Sequence, residues 1–321
     1  MSVAPTRDIS IIVPLFNEEE SILPLADAIM NVVTQLDRPY ELIFIDDGST
    51  DRTFEHLQNI VNENPNVVVL KFSKNFGQTA AMAAGFHKAR GRYLISMDGD
   101  LQNDPKDIPR IIELMDAGFD IVSGWRKDRK DFFATRRLPS IIANRILSWI
   151  TNVRIHDFGC TLKGYRWDFV RNIRLYSDMH RYIPGMAAAV GARVKEIVVE
   201  HHPRRFGTSK YGMSRAIKVM SDMIALRMLI RFSAQPLHYF ALFSIPIFLF
   251  ALVMSFLAFI DTTQIHFISY TTIVLPTIAV LGFFLAFHFL MSGLLCELVV
   301  NVSEESMQQL YTVHTLSEGD S

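Results

Sequence analysis

Residues 92–102, Arg92-Tyr93-Leu94-Ile95-Ser96-Met97-Asp98-Gly99-Asp100-Leu101-Gln102, decide how this chain is read. An apolar run of the length of one buried strand stops at two carboxylates separated by a single glycine. In isolation an Asp-Gly-Asp is more often a turn than a site. Placed directly after a buried strand, Asp98, Asp100 and the carboxamide of Gln102 can converge on a hard divalent cation such as Mg²⁺ or Mn²⁺. A cation held there could clamp a diphosphate and offset charge on a leaving group.

The same cadence extends outward from this stretch. Strand-like runs at Ile9–Val13, Glu41–Ile45, Val67–Phe72, Tyr93–Met97 and Ile121–Ser123 alternate with helical patterns near 21–36, 52–62, 77–89 and 107–117. That alternation predicts βαβ units around a mostly parallel sheet, an α/β fold of Rossmann-like type. Ser49 or Asp51 could cap the second helix, and Pro105 suits the first turn of the fourth. In such sheets ligands bind beyond the carboxyl ends of the strands, where the polar clusters PLFNEEE, DDGSTD, SKNFGQ and DGDLQND fall. Asp46 and Asp47 could accept from ribose hydroxyls or a base N–H there, and Glu18 is similarly placed. A dinucleotide-dependent oxidoreductase is disfavoured, because the first loop carries Glu18-Glu19-Glu20 where that fold needs glycines close to a pyrophosphate.

Charge and hydropathy divide the chain. All 32 Lys and Arg lie within residues 1–231 together with 27 of the 33 acids, so this part carries a formal +5 inside an overall −1 and suits anionic partners. From about Pro236 two long apolar stretches follow, His238–Ile260 and Thr271–Val300, separated by DTTQIHFIS. Each is long enough to span a bilayer as a helix, and Pro246 and Pro276 are tolerated in such helices. His288 and Glu297 read as helix-packing or interfacial residues. Pro139–Thr151 and Tyr211–Phe232 mix apolar and basic residues at helical spacing, as expected of helices lying on a membrane surface. Cys160 and Cys296 are too far apart in sequence character for a disulfide framework. No apolar run precedes the first strand, so a cleaved leader is not expected.

The blocks PLFNEEE, DDGSTD, SKNFGQ, MDGDLQNDP, GWRKDR, HDFGCTLKGY and RRFGTSKYG, in order from Ile9 to about Ser214, resemble the family 2 glycosyltransferases of the GT-A fold. Within that family they are most similar to the polyprenyl-phosphate glycosyltransferases related to dolichol-phosphate mannose synthase, and the two spans fit the bacterial polyprenyl-phosphate glucosyltransferase branch. The resemblance implies that Pro14, Phe16, Glu18, Asp46, Asp47 and Asp98 line a nucleotide-sugar pocket, with Asp98, Asp100 and Gln102 at the metal. It implies acceptor or diphosphate contacts for Arg126, Arg129, Arg205, Ser209 and Lys210, and places Asp157 of His156-Asp157-Phe158-Gly159-Cys160 nearest the reacting centre, as base or as positioner of the nucleophile. Lys163-Gly164-Tyr165-Arg166-Trp167 nearly matches the Gln-x-x-Arg-Trp of processive synthases but lacks the Gln, and two spans cannot line a polymer channel; Lys163 and Tyr165 instead supply the Arg/Lys-x-Tyr of the polyprenyl branch.

The organisation expected is therefore a GT-A domain over 1–210, a juxtamembrane amphipathic helix over 211–235, a transmembrane hairpin over 236–302 and a cytoplasmic tail over 303–321. The expected reaction is inverting transfer of a hexose, glucose first among the candidates, from a UDP-sugar such as UDP-glucose to polyprenyl (undecaprenyl) phosphate at the cytoplasmic membrane face. A processive polysaccharide synthase and an inactive nucleotide-binding scaffold are the alternatives. The lipid bilayer is an expected partner, nucleic acid is not, and a homo-oligomer is left open.

Overall fold

The computed structural model of the chain describes residues 5–127, 144–148, 151, 153–170, 175, 179–203, 236–264 and 270–307. Arg129, Arg205, Ser209, Lys210 and the stretch Tyr211–Phe232 lie outside the described residues; of Pro139–Thr151, residues 144–148 are helical. The chain divides into two units, Met1–Ala225 and Leu226–Ser321.

The first unit is built on seven strands, β1 (Arg7–Leu15), β2 (Tyr40–Asp46), β3 (Val67–Lys71), β4 (Gly91–Ser96), β5 (Ile121–Trp125), β6 (Lys163–Arg166) and β7 (Val194–Val198), in the order β3-β2-β1-β4-β6-β5-β7. Helices α1 (Ile22–Val33), α2 (Thr53–Glu63), α3 (Gln78–Lys88) and α4 (Ile108–Asp116) connect the early strands, and the short α5 (Trp167–Val170) and α6 (Ile183–Ala189) follow β6. Successive side chains of the central strands point to opposite faces, and both faces are covered. Ile9, Ile11, Val13, Leu42 and Phe44 pack with α1, α2 and α4, while Ile12, Ile43, Ile45 and Leu94 pack with Ala81, Met82 and Phe86 of α3.

The five strands and four helices expected between residues 9 and 123 are all present, and two further strands join the sheet. β6 runs antiparallel between β4 and β5, and β7 pairs parallel with β5 at the sheet edge. Neither was expected, because β6 is four residues long with a charge at each end and β7 is half exposed, so hydrophobic periodicity marks neither. The reversal in β6 matters for the site: its amino end, Lys163, pairs with Ser96 at the carboxyl end of β4, so residues 157–162 arrive at the same sheet edge as Asp98.

One local expectation is corrected and one pair of alternatives is decided. Pro105 opens a separate 3-10 turn, Pro105–Asp107, with Asp104 accepting from the Lys106 N–H, and Pro109 occupies the first turn of α4. Asp51 rather than Ser49 serves α2, accepting from the N–H of Thr53 at 3.0 Å and from its hydroxyl at 2.6 Å. Ser49 is used elsewhere, accepting from the Asn17 N–H.

Among the described residues the second unit contains two helices, α7 (Pro236–Gln264) and α8 (Tyr270–Met307). Pro236–Asp261 and Ile273–Val299 are long and apolar enough to cross a membrane, with mean hydropathy 2.5 and 2.3. Small residues let the helices approach: a Cβ added to Gly282 would lie 2.8 Å from that of Ala251, and Ala251, Ala258, Ala279 and Ala286 are buried. Ser244 donates to the Ala286 carbonyl at 2.8 Å. Glu297 accepts from the Leu237 N–H at 3.1 Å, satisfying one of the open donors at the start of α7, whereas His288 is exposed.

Candidate active site

The strand order places β1 between β2 and β4, so the loops after these three strands meet at the switch point of the sheet. The first two are laced together by backbone donors. Asn17 and Glu18 donate N–H groups to the hydroxyls of Ser49 and Thr53, Glu19 donates to Asp51, and Thr50 donates back to Asn17 Oδ1. Asn17 holds φ at 55°, a left-handed conformation kept in place by these contacts. Pro14, half-buried, pairs with Ile45 at the end of β1, and Phe16 and Glu18 follow in the loop, with Glu18 accepting from Ser21 Oγ at 2.7 Å.

Asp46 and Asp47 do different work. Asp46 is fully buried; Oδ1 accepts from the Ser49 N–H at 2.9 Å, and Oδ2 is buried without a hydrogen-bond partner. Asp47 gives one oxygen each to the N–H groups of Phe76 and Gly77, at 2.7 and 2.8 Å, so it anchors the loop after β3. Burial raises its carboxyl above the usual range against the pull of these two donors. Gly48 must be glycine here: its φ is 72°, and a Cβ would lie 2.5 Å from the Lys74 carbonyl carbon.

The third loop carries the carboxylates. Asp98 accepts from Gln78 Nε2 at 2.6 Å, and burial, with the charge of Asp100 second, raises its carboxyl to about 6. Asp100 is 7% exposed and accepts from the Gln102 N–H, across a Leu101 held at φ 60°. Gln102 donates through Nε2 to the His202 carbonyl at 3.4 Å and accepts the His202 N–H at 2.8 Å, which ties this loop to the segment after β7. Half-buried Asp98 and buried Asp100, beside a carboxamide whose carbonyl oxygen is a hard ligand, form a donor set that fits Mg²⁺ or Mn²⁺. At the far end of the same loop Asp104, Glu200 and His202 bring ligand atoms within 4.8 Å of one another, with His202 Nε2 already 3.1 Å from Asp104.

Beyond β4 the antiparallel β6 delivers Asp157 to a buried cation. Arg126, directly after β5, forks it: Nε lies 2.7 Å from Oδ2 and Nη2 3.0 Å from Oδ1. The Arg126 and Gly159 N–H groups add one contact to each oxygen. Burial works against the guanidinium's charge, but Asp157 outweighs it and raises the Arg126 pKa. Lys163, 2% exposed, donates to the carbonyls of Phe158 and Cys160, and burial lowers its pKa to about 8. Glu196 on β7 accepts from the N–H groups of His156 and Asp157 and pairs with His156 Nδ1 at 2.7 Å, while the His156 ring stacks on Trp125 at 4.4 Å.

The family model described as "Glycosyl transferase family 2" matches residues 10–188, which contain the loops after β1, β2, β3 and β4, Arg126 and Asp157. The chain belongs to glycosyl transferase family 2. Its relatives include a dodecaprenyl-phosphate galacturonate synthase of Rhizobium johnstonii, 44% identical over 73% of this chain and 70% of that one. An undecaprenyl-phosphate 4-deoxy-4-formamido-L-arabinose transferase of Yersinia pestis is 34% identical over 68% of this chain and 67% of that one. Among solved structures, glucosyl-3-phosphoglycerate synthase from Mycobacterium tuberculosis, in complex with Mn²⁺, uridine diphosphate and phosphoglyceric acid, shares the fold with TM-score 0.54 at 16% identity, over 70% of this chain and 78% of that one.

In this family 2 glycosyltransferase the fold gathers Pro14 and Asp46 at the carboxyl ends of β1 and β2, and Phe16, Glu18, Asp47, Asp98, Asp100, Gln102, Arg126 and Asp157 on loops at the same end of the sheet. Local sequence marks neither Gln78 nor Glu196 as functional. Gln78 ends the block SKNFGQ, but its contact with Asp98 spans two loops. Glu196 sits on the unrecognised strand β7, and no local pattern marks it.

Proposed function

We propose that the chain moves a sugar from a nucleotide diphosphate sugar onto a polyprenyl phosphate, from the cytoplasmic face of a membrane in which α7 and α8 anchor it. The observation that carries this reading is the meeting of the Asp98–Asp100 pair and the Arg126–Asp157 pair at one sheet edge. It is supported by two relatives that act on polyprenyl phosphates and by the two apolar helices.

Asp46, with its buried oxygen, and Glu18, Pro14 and Phe16 line the nucleotide side. Asp98, Asp100 and Gln102 would hold Mg²⁺ or Mn²⁺, which when bound neutralises charge on the leaving diphosphate. Arg126 faces the acceptor phosphate, with Arg129, Arg205, Ser209 and Lys210 as further contacts. Asp157 keeps the Arg126 guanidinium in one orientation; with both carboxylate oxygens engaged, it acts as a positioner rather than a base. The acceptor supports this division, because a phosphate monoester with a second pKa of about 6 is largely ionised at neutral pH. Direct displacement at the anomeric carbon then inverts its configuration.

For the sugar, glucose was the expectation from sequence, but 44% identity to a galacturonate synthase favours a uronate as a second reading. Membranes carrying the chain should be incubated with undecaprenyl phosphate and, in separate reactions, labelled UDP-glucose, UDP-galacturonate and UDP-4-deoxy-4-formamido-L-arabinose. One lipid-linked monosaccharide is expected from one donor; polymer would indicate a processive synthase, and no product from any donor would count against the reading. Asp100→Asn should abolish transfer while membrane insertion persists, since a carboxamide does not replace the anionic ligand. Unchanged turnover with unchanged dependence on added Mg²⁺ or Mn²⁺ would remove Asp100 from the cation site.

A further inference from the structure

We infer that Gln78 is a positioning residue for the cation site, and that Asp47 acts on that site through Gln78 without touching the cation. The inference rests on the proposed reading of Asp98 and Asp100 as cation ligands. β2 and β4, which lead into Asp47 and Asp98, do not touch; β1 lies between them. The link passes over β1 through the loop after β3. Asp47, 3% exposed, clamps the N–H groups of Phe76 and Gly77, and the close approach of Gly48 to Lys74 fixes the same loop from below.

Gln78 follows immediately as the first residue of α3, and its neighbour Thr79 pairs with the buried His180 Nδ1 at 2.7 Å. The backbone of Gln78 is therefore held on both sides before its side chain reaches out. Its carboxamide donates to Asp98 Oδ1 at 2.6 Å, which sets the rotation of that carboxylate in advance of any cation. Hydrogen bonds from outside the ligand set orient ligands in this way, and losing one typically costs about 10- to 100-fold in metal affinity.

The test is Mn²⁺ binding by the full chain in detergent, followed by electron paramagnetic resonance of free Mn²⁺, without nucleotide and with UDP. Gln78→Met, similar in length and without a donor, is expected to bind Mn²⁺ about tenfold or more weakly in both conditions, with an unchanged melting temperature. Asp47→Asn, which weakens the clamp on Phe76 and Gly77, is expected to lose Mn²⁺ affinity in the nucleotide-free titration, although Asp47 is no ligand. Wild-type affinity in Gln78→Met would overturn the inference and leave the cation site standing. Wild-type affinity in Asp47→Asn would overturn the transmission through the loop. Absence of Mn²⁺ binding by the wild-type chain even with UDP would overturn the reading of the site and this inference with it.

Discussion

Arg126 and Asp157 form the most tightly held charged pair among the described residues of the site: two fork contacts, and a backbone N–H on each carboxylate oxygen. Removing one member of such a buried pair leaves the other uncompensated, at a cost of about 3–5 kcal/mol. Asp157→Asn and Arg126→Lys are each expected to lower kcat by about 100-fold or more, and the double variant should be little worse than either. If Asp157 holds the arginine, the Asp157→Asn loss persists from pH 6.5 to 9 with saturating acceptor; recovery toward wild-type turnover at alkaline pH would instead identify proton removal as its main role. Lys163 gives a separate pH signature. Its pKa falls from an ordinary 10.5 to about 8 on burial, so between these values the unfolded chain binds the proton and the native chain does not. This group therefore makes the native state gain stability as pH rises from 8 to 10.5. Melting temperatures across that range should show the gain in wild type and a flatter profile in Lys163→Met.

At the scale of elements, loops at the sheet edge are held by contacts between connections that are distant in sequence. The connections after β1 and β2 exchange six hydrogen bonds between Asn17, Glu18 or Glu19 and the stretch Ser49–Thr53. Gly48 is where the next loop closes on them, and its replacement makes a direct check. Gly48→Ala combines a left-handed backbone with a Cβ 2.5 Å from main chain that has no room to yield. A loss of about 2–4 kcal/mol in denaturant unfolding of the chain in detergent is expected, from about 1–3 kcal/mol of backbone strain plus the clash. Glu196 plays the corresponding part for the His156–Asp157 turn. Its three contacts reach that turn from the edge strand, so Glu196→Ala should depress turnover by disordering Asp157. Transfer rates within a fewfold of wild type would show that the Arg126 fork suffices alone.

For the whole molecule the expectation is that catalytic domain and C-terminal tail lie on the same, cytoplasmic side. All basic residues precede the first span, and the DTTQIHFIS connection carries none, which is the positive-inside bias. A cysteine at Thr263 should label from outside intact cells, and one at Ser317 only after permeabilisation; the reverse pattern would invert the topology. Much of this organisation is set by sequence alone. Runs such as RYLISM and ELIFI can satisfy their side chains only as strands buried on both faces, and the two long apolar helices, which carry no basic residue, only in an apolar medium, so the sheet, the spans and the acidic loop ends follow from local pattern. What local pattern could not supply is the pairing of those loops. A four-residue strand with a charge at each end, β6, has no periodicity to announce it, yet its antiparallel direction is what carries Asp157 to the edge where Asp98 stands. The fork from Arg126, the clamp of Asp47 on the loop after β3 and the reach of Gln78 across β1 are likewise contacts between residues 20 to 31 apart in sequence. Tertiary structure decides these because a carboxylate's partner depends on which loop folds over it, and that is fixed by strand order.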